Sequence, residues 1–373
     1  MKIQKYQFFD QTFELHSDHA DTLTLMDVMF RRFAVTDDEK NGETLRYEVL
    51  TNVGGRARII TEDYCYIVEQ FDRLSSLAHG IILRNTFARI RSHLLFHAAA
   101  LSCGGKGVIV AADSYCGKTT LTLALVRHGF KFLSDDVAAL GLHNGQLTPY
   151  PRCLIVRGGT LRFFQQRGWE LPSHQAIAFK SQERTAIHLS PTLLGNKCQP
   201  HCLIILQRQD QVDERICKIT LDSLPDRLLT DLQAIGLLTN SVPHPQGFKN
   251  IDGLNETQGL PVFKAKSTHI NKIYQACEQQ GVLVLDVEEN AVASSYYENT
   301  PQLQEISKLT AALTLLPYFF GGYCSMLVQE DYQGSAVGLI EPLAKILEPV
   351  KCYQLTPGRL DQTVEIINRL VRQ

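Results

Sequence analysis

The most constraining feature of this sequence is an apolar stretch that leads through a short loop into a helix-forming run. Lys106–Ala112 is nearly all apolar, which predicts a strand buried on both faces. Lys118–His128 predicts a helix that ends at Gly129, because glycine commonly follows the last helical turn. A buried strand followed by a loop and a helix is typical of α/β proteins, so this order predicts an α/β core.

The loop between that strand and that helix has the character of a phosphate-binding loop. Ala112–Thr119 fits the pattern G-x-x-x-x-G-K-[ST], except that Ala112 replaces the first glycine. Backbone N–H groups in such a loop, together with a helix N-terminus, attract anions. Lys118 adds positive charge for the β- and γ-phosphates, and Thr119 offers a hydroxyl to Mg²⁺. The pattern predicts that ATP is bound by Asp113, Ser114, Tyr115, Cys116, Gly117, Lys118, Thr119 and Thr120.

Two adjacent carboxylates come directly after the next predicted strand. Phe130–Leu133 predicts that strand, and Asp135 and Asp136 follow it after a single serine. Carboxylates at this position are expected to face the same pocket as the loop. One of them can hold a metal ion while the other accepts a proton from a substrate hydroxyl. A turn or a helix cap is the alternative interpretation of the pair.

His97 lies on a further predicted strand, Leu94–Leu101, upstream of the loop. A single histidine on a strand is more often a packing residue than a catalytic one. Histidine nevertheless titrates near neutral pH and needs only a suitable partner to move a proton. His97 is therefore a candidate whose role depends on its neighbours.

Taken together, these segments resemble a known catalytic core. His97, the strand Gly107–Ala112, the run Gly117–Thr119 and the run Leu133–Asp136 are similar to segments of HPr kinase/phosphatase. They are more similar to segments of HPr-kinase-related proteins, which include kinases that act on lasso-peptide precursors. The resemblance covers residues 94–160. It implies an ATP-dependent kinase of Ser/Thr hydroxyls with a P-loop core of the HPr kinase/phosphoenolpyruvate carboxykinase type.

The resemblance also implies roles for individual residues. One of the paired carboxylates acts as the base and its neighbour helps to hold Mg²⁺, and we assign these roles to Asp135 and Asp136. Thr119 is the second predicted metal ligand. His97 falls at the family's active-site histidine, so it joins Asp135 and Lys118 in the predicted catalytic set.

The segment Pro151–Gly158 departs from the family pattern. It resembles the family's strand that ends in Arg-Gly, but Ile155 stands where HPr kinases carry a metal-binding glutamate. This difference weighs against HPr as the substrate and against the reverse phosphatase reaction. Arg152 and Arg157 are each interpreted in two ways, as a cation that neutralises phosphate or as a solvated surface residue.

The remaining sequence predicts how the chain is divided. Residues 1–92 predict a smaller α+β N-terminal module with strands at Tyr6–Leu15 and Arg56–Glu69, and residues 93–373 predict the kinase domain. The run Asn240–Gly259 is rich in Asn, Pro and Gly, so it predicts a loop or a mobile connection. The predicted protein therefore has two domains, with the chemistry in the second.

Composition bears on partners and location. Lys plus Arg number 37 and Asp plus Glu number 39, so the net charge of −2 gives no support for a nucleic-acid surface. The ten cysteines are scattered, and Met1–Phe9 lacks the pattern of a signal peptide, so we predict free thiols and a cytoplasmic location. The apolar run Leu309–Val328 contains Pro317, which predicts a buried, broken helix rather than a membrane span.

The predicted function is transfer of the γ-phosphate of ATP to a Ser or Thr hydroxyl of a peptide or protein, such as a ribosomally made precursor. A hydroxyl kinase with a small-molecule acceptor is the first alternative. A non-catalytic ATP-binding regulator is the second, because Ala112 and Ile155 both depart from the expected residues. The sequence does not determine the oligomeric state, and a homo-oligomer is compatible with it.

Overall fold

The fold is that of a computed structural model of the 373-residue chain. It describes all residues outside positions 37–43, 54–55, 69–70, 72–73, 114–115, 171–172, 179–183, 208–215, 222–223, 237–248, 252–253, 258–260, 267–268, 281, 283, 290–298, 321–324 and 333. The described residues form helices together with mixed sheets, so the protein belongs to the mixed α/β class that the sequence predicts.

Strands outnumber helices along the described chain. The strands are β1 (Lys2–Phe8), β2 (Gln11–Ser17), β3 (Thr44–Val53), β4 (Arg56–Ile60), β5 (Tyr64–Val68), β6 (His93–Phe96), β7 (Ala98–Cys103), β8 (Lys106–Ala112), β9 (Lys131–Ser134), β10 (Ala138–Gly141), β11 (Leu147–Thr148), β12 (Leu154–Arg157), β13 (Ser173–Ala178), β14 (Arg184–Leu189), β15 (Gln199–Leu206), β16 (Ile216–Leu221), β17 (Lys249–Ile251), β18 (Leu254–Thr257), β19 (Val262–Lys266), β20 (Val284–Glu289), β21 (Gln302–Glu305) and β22 (Lys351–Thr356). The α-helices are α1 (Ala20–Phe30), α2 (Leu74–Arg89), α3 (Lys118–Arg127), α4 (Gly158–Gln166), α5 (Asp226–Ile235), α6 (Ile270–Gln279), α7 (Lys308–Leu315), α8 (Met326–Asp331), α9 (Ile340–Leu347) and α10 (Leu360–Arg372).

The chain forms two compact units, each assembled from several stretches of sequence. Unit 1 comprises Met1–Arg91, Glu214–Asn290 and Gly321–Gln329. Unit 2 comprises Ser92–Asp213, Ala291–Phe320 and Glu330–Gln373. Residues after position 92 thus contribute to both units, and the sequence-based division into 1–92 and 93–373 stays a prediction of domain boundaries.

Unit 1 contains a large sheet with strand order β1-β2-β3-β4-β5-β18-β17 and a small sheet with order β19-β16-β20. The single strand predicted over Tyr6–Leu15 is wrong, because the chain turns at Phe9, which adopts a φ of 54°. The two arms pair antiparallel, with Tyr6 opposite Phe13 and both rings buried. The buried aromatic rings therefore lie on the two arms of a hairpin, not on one long strand.

Two other sequence expectations in unit 1 also differ from the structure. The strand predicted over Arg56–Glu69 is divided into β4 and β5, which pair antiparallel. The described part of the predicted loop Asn240–Gly259 contains β17 and β18, and β18 runs parallel to β5. The rest of that run lies outside the described residues. Both differences result from strand pairing, which the local sequence does not show.

The central sheet of unit 2 has the strand order β21-β22-β15-β8-β7-β9. β8 is parallel to β15, with Ala112 opposite Leu206, and β15 is parallel to β22. β7 is antiparallel to both β8 and β9, and Ala100 lies opposite Ser134. Strands β8, β9, β15 and β22 therefore all end at one edge of the sheet, where β7 begins. We call it the site edge.

The strand predicted over Leu94–Leu101 is interrupted at His97. β6 pairs with β10 in a three-stranded sheet, whereas β7 joins the central sheet. Between them, the backbone N–H of His97 donates to the carbonyl oxygen of Tyr318 at 2.6 Å. The break matters because it places His97 at the site edge rather than within a continuous strand.

Helices α3 and α10 pack against one face of the central sheet and share its apolar core. That core includes Val108, Val110, Leu121, Leu125, Cys202, Ile204, Val364 and Ile367. The predictions for this region are largely confirmed, since β8, α3 and β9 lie within one residue of the expected bounds. Gly129 follows α3 with a φ of 91°, as expected of a glycine that ends a helix.

The apolar run Leu309–Val328 is broken where the sequence predicts. Helix α7 ends at Leu315, and Pro317 lies in a 3-10 helix, Leu316–Tyr318. Helix α7 is buried on one side only, at Ala311, Ala312 and Leu315, because Leu309 and Leu313 are 57% and 49% exposed. Among the described residues, no helix is long and apolar enough to cross a membrane.

Candidate active site

The turn between β8 and α3 has the strand–loop–helix arrangement that the sequence predicts. Ala112 is the last residue of the strand, and Lys118 is the first of the helix. Gly117 has a φ of 81°, a left-handed conformation that glycine adopts without the steric cost of a Cβ atom. The first backbone N–H groups of α3 have no partner within the helix, so this end of it favours an anion.

Lys118 is buried at the start of α3, with only 8% of its surface exposed. Its ammonium donates a hydrogen bond to Nε2 of His97 at 3.1 Å. It also lies 3.4 Å from Oδ1 of Asp136. Because an ammonium can only donate, Nε2 of His97 is the acceptor in this contact. At the site edge, Lys118 therefore contacts both His97 and Asp136.

Asp136 also forms an ion pair with Arg152, whose Nη2 contacts Oδ2. The Arg152 side chain is 10% exposed and that of Asp136 is 25% exposed. Arg152 is held near the end of β9 by its backbone. Its N–H donates to the carbonyl of Tyr150 at 2.9 Å, and the N–H of Tyr150 donates to the carbonyl of Leu133 at 3.0 Å. The Asp136 carboxylate therefore forms ion pairs with two cations, Lys118 and Arg152.

Asp135 is the most buried acid of the group, with 1% of its surface exposed. Burial raises the pKa of its carboxyl above the ordinary value, and the positive charges of Arg152 and Lys118 oppose that rise. Its Oδ1 atom has no hydrogen-bond partner among the described residues. An acid with this environment is a stronger proton acceptor than an exposed aspartate once it is ionised.

Asp113, the first residue of the loop, is held by a residue distant in sequence. The hydroxyl of Tyr318 donates to Oδ1 of Asp113 at 2.6 Å. Burial raises the pKa of the Tyr318 phenol, and the neighbouring Asp113 carboxylate raises it further. The Asp113 carbonyl accepts from the N–H of Cys116 at 3.2 Å. The Asp113 side chain thus accepts a hydrogen bond from a neutral phenol, while its backbone carbonyl accepts one within the loop.

Thr119 and Thr120 lie in the first turn of α3. The Thr119 side chain is half-buried, whereas Thr120 is buried and its hydroxyl lies 3.0 Å from that of Thr160 in α4. The hydroxyl of Thr119 and the carboxylate of Asp136 are hard oxygen donors of the kind Mg²⁺ prefers. Oδ1 of Asp135, the residue next to Asp136, is buried without a hydrogen-bond partner among the described residues. The residues present therefore fit a magnesium ion.

The predicted site residues converge at the site edge to the extent that they are described. His97, Lys118 and Asp136 are in contact, and Asp135 lies within their electrostatic influence. Ser114 and Tyr115 lie outside the described residues. Among the described residues, no cluster of three or more His, Cys, Asp or Glu side chains forms a metal site.

Tyr318 is the residue that sequence reasoning missed. It lies 205 positions from Asp113, and the apolar run that contains it reads as packing. No local pattern could have assigned it to the loop. The sequence does not distinguish Arg152 from Arg157, whereas the structure places Arg152 in contact with Asp136.

Comparison with known proteins gives little beyond this geometry. No family model and no curated protein matches the chain. Among solved structures, the chain is similar to the Hpr(Ser) kinase/phosphatase from Coxiella burnetii, at 19% sequence identity over 44% of this chain and 83% of that chain. The TM-score of that match is 0.20. A score of this size supports no argument about fold or function, so the resemblance read from the sequence stays a prediction.

Proposed function

We propose that this protein is an ATP-dependent kinase that transfers the γ-phosphoryl group to a Ser or Thr hydroxyl of a peptide or protein. One observation supports the proposal above the others. A buried lysine at a helix start, and a buried aspartate with an unpartnered oxygen, lie at the same edge of one sheet. Phosphoryl transfer needs a cation for the phosphates and a base for the acceptor, and these two groups supply both.

Lys118 and the N-terminal amides of α3 bind the triphosphate in this proposal. The lysine is desolvated, so its charge acts on phosphate more strongly than an exposed ammonium would. Its hydrogen bond to Nε2 of His97 holds the ammonium in place before ATP arrives. His97 therefore positions Lys118 in the proposed site.

Asp135 is the base. The acceptor oxygen attacks the γ-phosphorus, its hydroxyl proton passes to Oδ1 of Asp135, and the bond from the γ-phosphorus to the β–γ bridging oxygen breaks to release ADP. The raised pKa of Asp135 favours this proton transfer, provided that the carboxyl is ionised when the acceptor binds. Lys118 and Arg152 favour that ionised form.

Thr119 and Asp136 would hold Mg²⁺. When bound, the ion neutralises charge on the β- and γ-phosphates. Asp136 already contacts both nearby cations, and these contacts fix the position of the carboxylate that would bind the ion. The acceptor class rests on the sequence resemblance to HPr-kinase-related proteins, and a small-molecule hydroxyl is the outcome that would correct it.

The first experiment measures transfer from ATP radiolabelled at the γ-phosphate to Ser- and Thr-containing peptides and to small alcohols. We expect Asp135→Asn to reduce transfer about 10²- to 10⁴-fold, the usual contribution of a general base, while Mg-ATP binding persists. Lys118→Ala should abolish Mg-ATP binding itself. Asp361→Asn and Lys345→Ala, at exposed positions of α10 and α9, serve as matched controls.

Several results would count against the proposal. Full transfer by Asp135→Asn would remove the base from it. Mg-ATP binding without turnover over the whole acceptor set would favour the regulator instead. Transfer confined to small alcohols would keep the chemistry and change the acceptor class.

A further inference from the structure

The Arg152 guanidinium is only partly used by the contacts that surround it. Its Nη2 binds Asp136, but its Nε is buried and has no hydrogen-bond partner among the described residues. A buried N–H donor without a partner is costly, because desolvation is not repaid by a hydrogen bond. Arg152 thus has one N–H donor available inside the candidate site.

Charge in the cluster is also unbalanced. Lys118 and Arg152 both lie against the single carboxylate of Asp136. These three side chains carry one more positive than negative charge, and each of them is at most 25% exposed. Such a place attracts an anion that brings acceptor oxygens to the unused donor.

The position of Arg152 agrees with a phosphate ligand at the end of the triphosphate. Its backbone is tied to the end of β9 through Tyr150, beside the residues that follow that strand. Lys118 lies at the start of α3 and contacts the other oxygen of Asp136. The two cations thus contact different oxygens of one carboxylate, with Lys118 at the start of α3 and Arg152 tied to the end of β9.

We propose that Arg152 is a catalytic residue that binds the γ-phosphate of ATP, and that Asp136 holds its guanidinium ready for that contact. This inference rests on the proposed function, since it needs ATP at the loop. A guanidinium can use Nε and one Nη together on phosphate oxygens, a geometry that lysine lacks. Arg152 therefore distinguishes ATP from ADP.

The test compares the affinities of the full-length chain for Mg-ATP and Mg-ADP by calorimetry. For Arg152→Ala and Arg152→Lys we expect Mg-ATP affinity to fall about 10- to 100-fold, the size of a lost charge-assisted hydrogen bond. Mg-ADP affinity should stay within about threefold, because ADP lacks the γ-phosphate. Mg-ADP with aluminium fluoride, which mimics the transferring group, should bind the wild type and not Arg152→Ala.

Arg369→Ala is the matched control, because Arg369 is 66% exposed on α10 and pairs only loosely with Glu365. Equal losses for ATP and ADP would overturn the inference and leave a purely structural arginine. Unchanged ATP affinity in Arg152→Lys would also overturn the inference. If Arg152→Ala does not fold, this charge-preserving variant provides the deciding measurement. A wild type that binds neither nucleotide would instead overturn the proposed function, and this inference with it.

Discussion

The two units place their charged side chains differently. Among the described residues of unit 1, the buried polar side chains are threonines, serines and one histidine, and no Lys, Arg, Asp or Glu is buried. Unit 2 buries both Lys118 and Asp135 at one edge of one sheet. Burying charge is costly, so a fold built only for stability avoids it. The contrast marks the site edge as the place where unit 2 accepts the energetic cost of burying charge.

A pair of arginines makes the same contrast measurable. In unit 1, Arg89 pairs with Glu62 at 2.7 Å, with 22% and 41% of the side chains exposed. In unit 2, Arg152 pairs with Asp136, with 10% and 25% exposed. Solvent screens the first pair and hardly screens the second. Removing the acid should therefore have different consequences in the two units.

The largest stability effect is expected from Asp136→Ala. The change leaves Lys118 and Arg152 without their shared carboxylate, and it should lower the free energy of unfolding by about 2–3 kcal/mol, somewhat less than for a fully buried pair. Glu62→Ala should cost less than about 1 kcal/mol. Urea unfolding of both variants measures the difference. Equal effects would contradict the contrast between the units.

A smaller effect, on Mg-ATP affinity, is expected when one of two tyrosine hydroxyls is removed. Tyr318 donates to the Asp113 carboxylate at 2.6 Å, whereas Tyr47 shares a hydrogen bond of 3.2 Å with the neutral Thr86. Tyr318→Phe leaves a carboxylate in the loop without its donor, so Mg-ATP affinity should fall about 10-fold, the effect of losing a bond to a charged group. Tyr47→Phe should leave Mg-ATP affinity unchanged, as fluorescence titration would show. A normal affinity in Tyr318→Phe would remove Tyr318 from the site.

The smallest expected effect is a pH-dependent change in the free energy of unfolding, and its sign differs between the two units. The folded-state pKa of Asp135 is raised by burial, so its contribution to stability is present at low pH and is lost as pH rises through that pKa. Asp135→Asn escapes this loss, and we expect it to be more stable than the wild type by about 1 kcal/mol near neutral pH. The difference should disappear toward about pH 4.

Glu14 in unit 1 provides the opposite case. Its hydrogen bond with His16 lowers the pKa of its carboxyl, with a further contribution from the Lys5 charge, against a smaller opposing effect of burial. Its stabilisation is present above the unfolded-state pKa and is lost as pH falls. Glu14→Gln should therefore lose less than about 1 kcal/mol near neutral pH. Thermal unfolding from about pH 4 to about pH 8 tests both signs. Destabilisation by Asp135→Asn at neutral pH would show that its carboxylate is net favourable.

Local patterns predicted the parts of the fold that local forces control. The apolar strand β8, the helix α3 and its end at Gly129 follow from burial, helix formation and glycine's conformational freedom. The hairpin β1–β2 was missed, because Phe9 adopts a positive φ where glycine or asparagine would normally signal the turn. The interruption at His97 was missed as well, because it results from pairing with two different sheets.

The sequence by itself determined that a glycine–lysine turn follows a buried strand and that two carboxylates follow the next one. Those features are local, because strand burial, a left-handed glycine and a helix start each depend on neighbouring residues. Only the tertiary structure decided which side chains meet there. Tyr318 reaches Asp113 across 205 positions, and Arg152 reaches Asp136 through a backbone tied to β9. Contacts of that kind depend on how strands are ordered in a sheet, and that order cannot be predicted from a short stretch of sequence.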